Sequence, residues 1–338
     1  MTVRGSAVKR VSKDAVEASA DAVEHTVEIG LSAAIVSVAE EKPQVLVVQH
    51  GGARDGLPFG PFDPVRHRTL ESGLRIWVKE QTYLAFDYAE QLYTFGDRGR
   101  HLRTAREGPR VVSVGYLALT RAIGELQAPD TIWGEWYRYF PWEDWRAQKP
   151  EVIETMIVPA LKAFVRSTKD SKLAEERRTR VHISFGLDGL RWDEERVLER
   201  YELLYEAGLV EEAIYDGRID RQPDKLLGVS MMFDHRRILA TAIARLRGKM
   251  KYRPVVFELM PPTFTLFDLQ RTVEAISGIQ LHKQNFRRLV EGQGLVEGTG
   301  TFARMTRGRP AELFRFRREV LGERQAPGVR LGARRTGT

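Results

Sequence analysis

Residues 68 to 84, RTLESGLRIWVKEQTYL, mix apolar and polar positions at helical spacing. Leu70, Leu74, Trp77 and Val78 fall on one stripe, with Glu71, Arg75, Lys79 and Glu80 between them, which predicts an amphipathic helix. Before it, LSAAIVSVAEEKPQVLVVQHG (31 to 51) carries two β-rich runs, Ala33 to Val38 and Gln44 to Gln49. A polar turn containing Pro43 separates them, the pattern of a hairpin. A loop rich in Gly and Pro leads from this hairpin to the helix, and RVVSVGYLALT (110 to 120) reads as a further strand. The order strand, strand, loop, helix, strand belongs to a mixed α/β domain. Residues 13 to 28 suit an N-terminal helix or a loose arm.

The middle of the chain is less regular. TIWGEWYRYFPWEDW (131 to 145) is dense in aromatic residues, a composition that fits a core or a subunit interface. PEVIETMIVPALKAFV (150 to 165) and DEERVLERYELLYEAGLV (193 to 210) read as helices, and TRVHISFG (179 to 186) as a short strand between them. From Phe233 the pattern sharpens. FDHRRILATAIARLRGKM places Ile238, Leu239, Ala242, Ile243 and Leu246 on one helical stripe, and RPVVFELMPP (253 to 262) reads as a short strand ended by prolines. In TFTLFDLQRTVEAISG (263 to 278), Leu266, Leu269, Val273 and Ile276 share a face, with Thr265 as N-cap, Asp268 in the first turn and Gly278 as the stop.

Only three residues, IQL, separate that stop from a second amphipathic helix, HKQNFRRLVEGQG. Helix, short turn, helix is the helix-turn-helix arrangement of DNA-binding proteins. Phe286, Leu289 and Val290 point inward, leaving Lys283, Gln284, Asn285, Arg287 and Arg288 for phosphates and base edges, with Thr265 at the start of the first helix. Farther on, Thr301 to Met305 and Ala311 to Arg315 can pair as a hairpin wing, with Arg304, Arg307 and Arg309 at its tip.

Charge changes the picture in the same direction. The chain has 338 residues and a net charge of +7. From Asp234 onwards there are 21 Lys and Arg against 9 Asp and Glu, net +12, whereas the preceding part is net −5. A basic C-terminal third points to a polyanion, with nucleic acid the commonest. There is no cysteine, so disulfides and thiolate metal sites are excluded, and a reducing cytoplasm is expected. No apolar run approaches the ~20 residues of a membrane span.

These segments together resemble a known family. MFDHRRILATAIARLRGKMKY, FTLFDLQRTVEAISGIQLHKQNFRRLVEGQGLVE and GRPAELFRF are similar to the C-terminal winged helix-turn-helix of the NrtR-type, Nudix-related transcriptional regulators of NAD metabolism. The long middle region points to the NadQ-like branch, which in alphaproteobacteria represses de novo NAD synthesis genes. TLESGLRIWVKEQTYL, AEQLYTFGDRGR and RVVSVGYLAL resemble the Nudix-like domain of the same proteins. The implied fold is α+β: a Nudix-like α/β domain with a helical elaboration, followed by a winged helix-turn-helix. The expected boundaries are an arm over 1–29, the Nudix-like domain over 30–232 with its elaboration at 131–228, the DNA-binding domain over 233–320 and a basic disordered tail over 321–338.

A working Nudix pyrophosphatase gathers several carboxylates on one helical turn to hold Mg²⁺ or Mn²⁺. Aligned on Leu70-Glu71 and Thr82, this sequence has Ile76-Trp77, then Val78 and Lys79, then Glu80-Gln81. Of the three metal carboxylates only Glu80 remains, and Tyr83 replaces the usual glycine. The resemblance therefore implies no catalytic residue, no metal and no required cofactor. It implies instead a pocket that senses a nucleotide such as ATP, NAD or ADP-ribose, with Arg54, Arg75, Lys79, Glu80, Arg98 and Arg100 as candidate partners. The expected function is a cytoplasmic repressor, a homodimer on a palindromic double-stranded operator, with residues 131 to 145 contributing to the dimer interface. The alternatives are a nucleotide pyrophosphatase with residual activity on ADP-ribose or NAD, and a structural or RNA-associated basic protein.

Overall fold

The computed structural model describes residues 27–49, 54–97, 110–121, 126–219, 226–303, 310–323 and 328–329. The sheet is mixed. Strand β1 (Val27–Ala39) runs parallel to β5 (Arg110–Leu119) along one edge. On its other edge it pairs antiparallel, first with β3 (Phe59–Pro61) and then with β2 (Lys42–Val48). Outermost are β4 (Tyr88–Phe95) beside β5 and β6 (Thr131–Glu135) beside β2, giving the order β4-β5-β1-β2-β6.

Strand alternation divides the buried side chains of β1 between two faces. Leu31, Ala33 and Ile35 pack with Leu74 and Val78 of α1 (Leu70–Thr82), the helix read from the first stretch of sequence. Ala34 and Val36 face a second cluster containing Ile238, Leu239 and Ile243 of α6 (His235–Tyr252). The sheet is thus covered on both faces, and α6 contacts β1, β4 and β5. The domain boundary expected at 233 would cut α6 away from this sheet, against which it buries its apolar stripe.

Between β6 and α6 lie α2 (Val158–Arg166), α3 (Ser171–Phe185), α4 (Val197–Glu206) and α5 (Glu211–Tyr215). After α6, a 3-10 turn at Val255–Leu259 leads to α7 (Leu266–Ser277), α8 (Lys283–Gly292), and the hairpin of β7 (Val296–Phe302) and β8 (Glu312–Phe316), closed by a helical turn α9 (Val320–Glu323).

Several expectations are corrected. The hairpin turn is Glu40-Glu41, both at positive φ, and Pro43 lies inside β2 opposite Val38. TRVHISFG is the end of α3, because Val181, Ser184 and Phe185 bury one side of a helix. RPVVFELMPP forms the 3-10 turn rather than a strand. Val27 to Ile29, assigned to the arm, pair with Arg110 to Val112; residues 13 to 26 lie outside the described part. In the expected tail, Leu321 to Glu323 belong to α9, and the buried Val329 donates its N–H to Met250 O at 2.7 Å. Within residues 131 to 145, Trp136, Tyr139, Phe140 and Trp142 are fully buried in the chain's own core, whereas Ile132, Trp133 and Trp145 are half-buried and β6 is an edge strand.

Candidate nucleic-acid interface

Helix α7 begins where its sequence sets it. Thr265 Oγ1 accepts from Asp268 N at 3.1 Å while Asp268 Oδ2 accepts from Thr265 N at 3.0 Å, a reciprocal capping box. Gly278 ends the helix at φ +72, the left-handed region that a Cβ disfavours. The short turn is held from inside. Buried Glu274 accepts from Leu281 N at 2.8 Å and from Gln270 Nε2 at 2.9 Å, and Gln270 Nε2 also donates to Leu281 O at 3.0 Å.

That turn delivers α8 with Phe286 and Val290 buried and Leu289 half-buried. Lys283, Gln284, Asn285, Arg287 and Arg288 are all exposed, as the periodicity requires. Arg287 pairs with Glu291 at 2.9 Å on the exposed surface, an interaction worth only about 0–1 kcal/mol and easily exchanged for a phosphate. Lys283 and Arg288 make no ion pair among the described residues. No side chain caps the start of α8, so its first N–H groups remain available to an anion. Thr265 is half-buried and its hydroxyl also donates to Asp268 Oδ2 at 2.8 Å, so it serves its helix before any ligand.

The hairpin runs from Val296↔Phe316 to Phe302↔Glu312 with a register shift between, so its first strand starts five residues before the expected Thr301. Gly298, Thr299 and Gly300 made that stretch look like loop. Phe264 bridges to Phe314, tying the hairpin to the start of α7. A cleft of about 370 Å³ opens between these elements, lined among others by Thr265, Phe267, Lys283, Arg287 and Phe302. Arg304, Arg307 and Arg309 lie outside the described residues.

On the sheet domain, α1 is placed over β3 by its own side chains. Trp77 Nε1 donates to Pro61 O at 2.8 Å, and Gln81 both accepts from Phe59 N at 3.1 Å and donates to Phe59 O at 2.6 Å. Gly60 allows this approach, since a Cβ there would lie 2.3 Å from the Trp77 ring. Two positions aligned with the metal-binding signature thus fasten a strand. Lys79 and Glu80 are exposed. Arg75 is engaged with Glu71 at 2.8 Å and with the carbonyls of Phe86 and Asp87. Arg54 lies 3.4 Å over the Tyr215 ring. Beside it, buried Asp55 accepts from Gln49 Nε2 at 2.7 Å and Tyr139 OH at 2.6 Å, and burial together with that bond pushes the Tyr139 phenol up. Arg98 and Arg100 lie outside the described residues. Sequence reasoning missed Glu143, Arg236 and Arg247, all fully or almost fully buried. The signal was present for Arg247, which falls four residues after Ile243 on an otherwise apolar stripe.

Fold and exposed helix define a class: a Nudix-like sheet domain with a C-terminal winged helix. Residues 256–316 match the family model of the NrtR DNA-binding winged helix domain. The ADPR responsive transcriptional repressor NtrR of Acinetobacter baylyi is 41% identical over 93 residues, 28% of this chain and 37% of that protein. The chain therefore matches little more than a third of that relative's length. Shewanella oneidensis NrtR shares the fold, with a TM-score of 0.51 at 20% identity over 86% of this chain and 95% of that one.

Proposed function

We propose that this protein is a transcriptional repressor of NAD synthesis genes that reads DNA with α8 and senses ADP-ribose, or a related adenine nucleotide, in a catalytically inactive Nudix-like domain. The observation that carries the reading is α8 itself: an exposed row of Lys283, Gln284 and Arg288 on a helix held by a short, internally bonded turn, inside a domain of the NrtR DNA-binding type. Its likeness to a repressor named as ADPR responsive supports the effector class.

The chemistry of α1 supports the inactive-pocket part of the reading. A hard divalent ion needs several oxygen ligands, whereas Ile76 and Trp77 supply none and Gln81 spends its amide on Phe59. Lys79 beside Glu80 repels a cation. Arg54, Lys79 and Glu80 remain our candidates for effector contact, while Arg75 is less available because Glu71 and two carbonyls already hold it. We place the boundary between sensing and reading units after α6, and take the DNA-bound form to be a homodimer on a palindromic operator, since one reading helix per chain covers one half-site.

The test is binding of the full chain to promoter duplexes of NAD synthesis genes at fixed salt, against scrambled DNA, with ADP-ribose, NAD and ATP titrated in turn. The proposal requires selective binding that one of these nucleotides shifts. Binding that is equal on scrambled DNA would defeat it, and turnover of ADP-ribose with Mg²⁺ that disappears in Glu80→Ala would defeat the inactive-pocket part.

A further inference from the structure

The helical segment between β6 and α6 meets the reading unit through a few buried polar groups. Glu143 is 1% exposed and lies between two fully buried arginines. It accepts from Arg200 of α4 at 2.6 and 2.9 Å and from Arg247 of α6 at 2.7 Å. One carboxylate against two guanidiniums leaves a positive charge inside the protein; the carbonyls of Ser184 and Asp193 accept from Arg200 and that of Glu194 from Arg247, and the end of α7 adds to them. Helix-end carbonyls carry partial negative charge and are ordinarily left to water. Here Arg247 Nε donates to Ile276 O at 2.9 Å, Tyr137 OH to Ala275 O at 2.8 Å, and Trp145 N to Gly278 O at 2.7 Å.

The joint also closes on the turn. A Cβ on Gly278 would lie 2.4 Å from Glu143 O and 2.8 Å from both Tyr137 Oη and Arg247 Nη2. Gly278 is therefore needed for two reasons, its left-handed φ and this contact. Three residues later Leu281 is bonded to Glu274 and Gln270, and α8 begins at Lys283. Burying such charges is a poor way to gain stability, because desolvation offsets much of the Coulomb attraction. What directional bonds at this point do supply is a fixed pose.

We infer that Glu143 is a positioning residue for DNA recognition: it holds Arg247 against the Ile276 carbonyl at the end of α7 and so fixes the turn that aims α8. This rests on the DNA-binding reading above. No contact between Glu143 and DNA is involved, so its removal leaves the number of phosphate contacts unchanged and alters their alignment with base edges.

The test uses the full chain and a duplex that it selects from a random pool. Glu143→Gln keeps the size and removes the charge, and Tyr137→Phe removes one hydroxyl. Leu74→Ala, in the core cluster on the far face of the sheet, controls for general destabilisation. Measured well below each variant's melting temperature, Glu143→Gln is expected to lose about tenfold and Tyr137→Phe about threefold in affinity for the selected duplex. Salt slope and affinity for scrambled DNA should not change, and Leu74→Ala should bind as the parent does. Parental affinity in Glu143→Gln overturns the inference, and if that variant does not fold, parental affinity in Tyr137→Phe does so. Should the parent select no duplex, the DNA-binding reading fails on its own account. Amide exchange over 279–292 in the free variants then decides: faster exchange than in the parent supports the positioning role, and unchanged exchange overturns it.

Discussion

At the scale of single residues, the Nudix-like helix keeps a backbone feature after changing its chemistry. Tyr83, where the resembled signature has glycine, still adopts the left-handed conformation at φ 57, donates its N–H to Lys79 O at 3.0 Å, and is 62% exposed. A non-glycine residue there is strained by about 1 kcal/mol. Tyr83→Gly should therefore raise stability by roughly 0.5–1 kcal/mol, less the extra freedom of glycine in the unfolded chain, measured by urea denaturation. A fall in stability would mean that the Tyr83 ring contributes more than its backbone loses. A second residue carries a pH signature. Burial pushes the Glu90 carboxyl up, but bonds from Lys249 Nζ and Tyr88 OH outweigh it and hold the group below its ordinary range. A depressed carboxyl stabilises the fold fully above its unfolded pKa, and that contribution is lost as pH falls through the folded value. Glu90→Gln should thus be less stable than the parent at pH 7, with the gap shrinking below about pH 4. A gap that persists unchanged at pH 3 would assign the effect to packing.

At the scale of elements, α8 is where sequence and structure agree most closely, and the reason is local. Its capped predecessor, the glycine stop and the inward Phe286 and Val290 are all encoded within a few residues of one another. The same holds for α1 and for the stripe of α6. What the sequence did not reveal depends on distant partners. TRVHISFG has β-branched and aromatic residues that suit a strand, yet it continues a helix begun at Ser171 whose apolar side meets α2 and α4. The wing's first strand begins among glycines because pairing with β8, not propensity, fixes it. The aromatic segment gave no local sign of which rings lie in the core, and only packing with distant elements places Trp136, Tyr139, Phe140 and Trp142 there. For α8 the expected outcome is specific: Arg288→Ala should weaken selected-duplex binding by about 1–3 kcal/mol if it reads a base edge. If it meets phosphate instead, the loss is uniform across sequences and the salt slope falls by about one. A variant with parental affinity and slope would place Arg288 off the DNA.

At the scale of the molecule, one buried cluster runs from Ala34 and Val47 in the sheet, through Trp142 and Tyr201, to Leu269, Phe286 and Phe314 in the winged helix. A core shared in this way predicts a single cooperative unfolding transition rather than two, detectable by calorimetry as matching van't Hoff and calorimetric enthalpies. Two resolved transitions would show that the units melt separately. If the proposed function holds, linkage adds a reciprocal expectation: whatever factor ADP-ribose imposes on operator affinity, the operator must impose on ADP-ribose affinity. Titrating the nucleotide with and without saturating duplex measures both sides, and unequal factors would mean a third bound species. Finally, the rings of Trp145 and Trp192 lie 4.4 Å apart and tilted by 34°, with the Arg200 guanidinium 3.7 Å from the second, while the backbone of Trp145 bridges to Ile279 in the turn. Two indoles so close behave as coupled chromophores, and their near-ultraviolet circular dichroism depends on the angle between them. The protein therefore carries an intrinsic optical gauge at the base of α8, able to register a shift of the turn without any attached label.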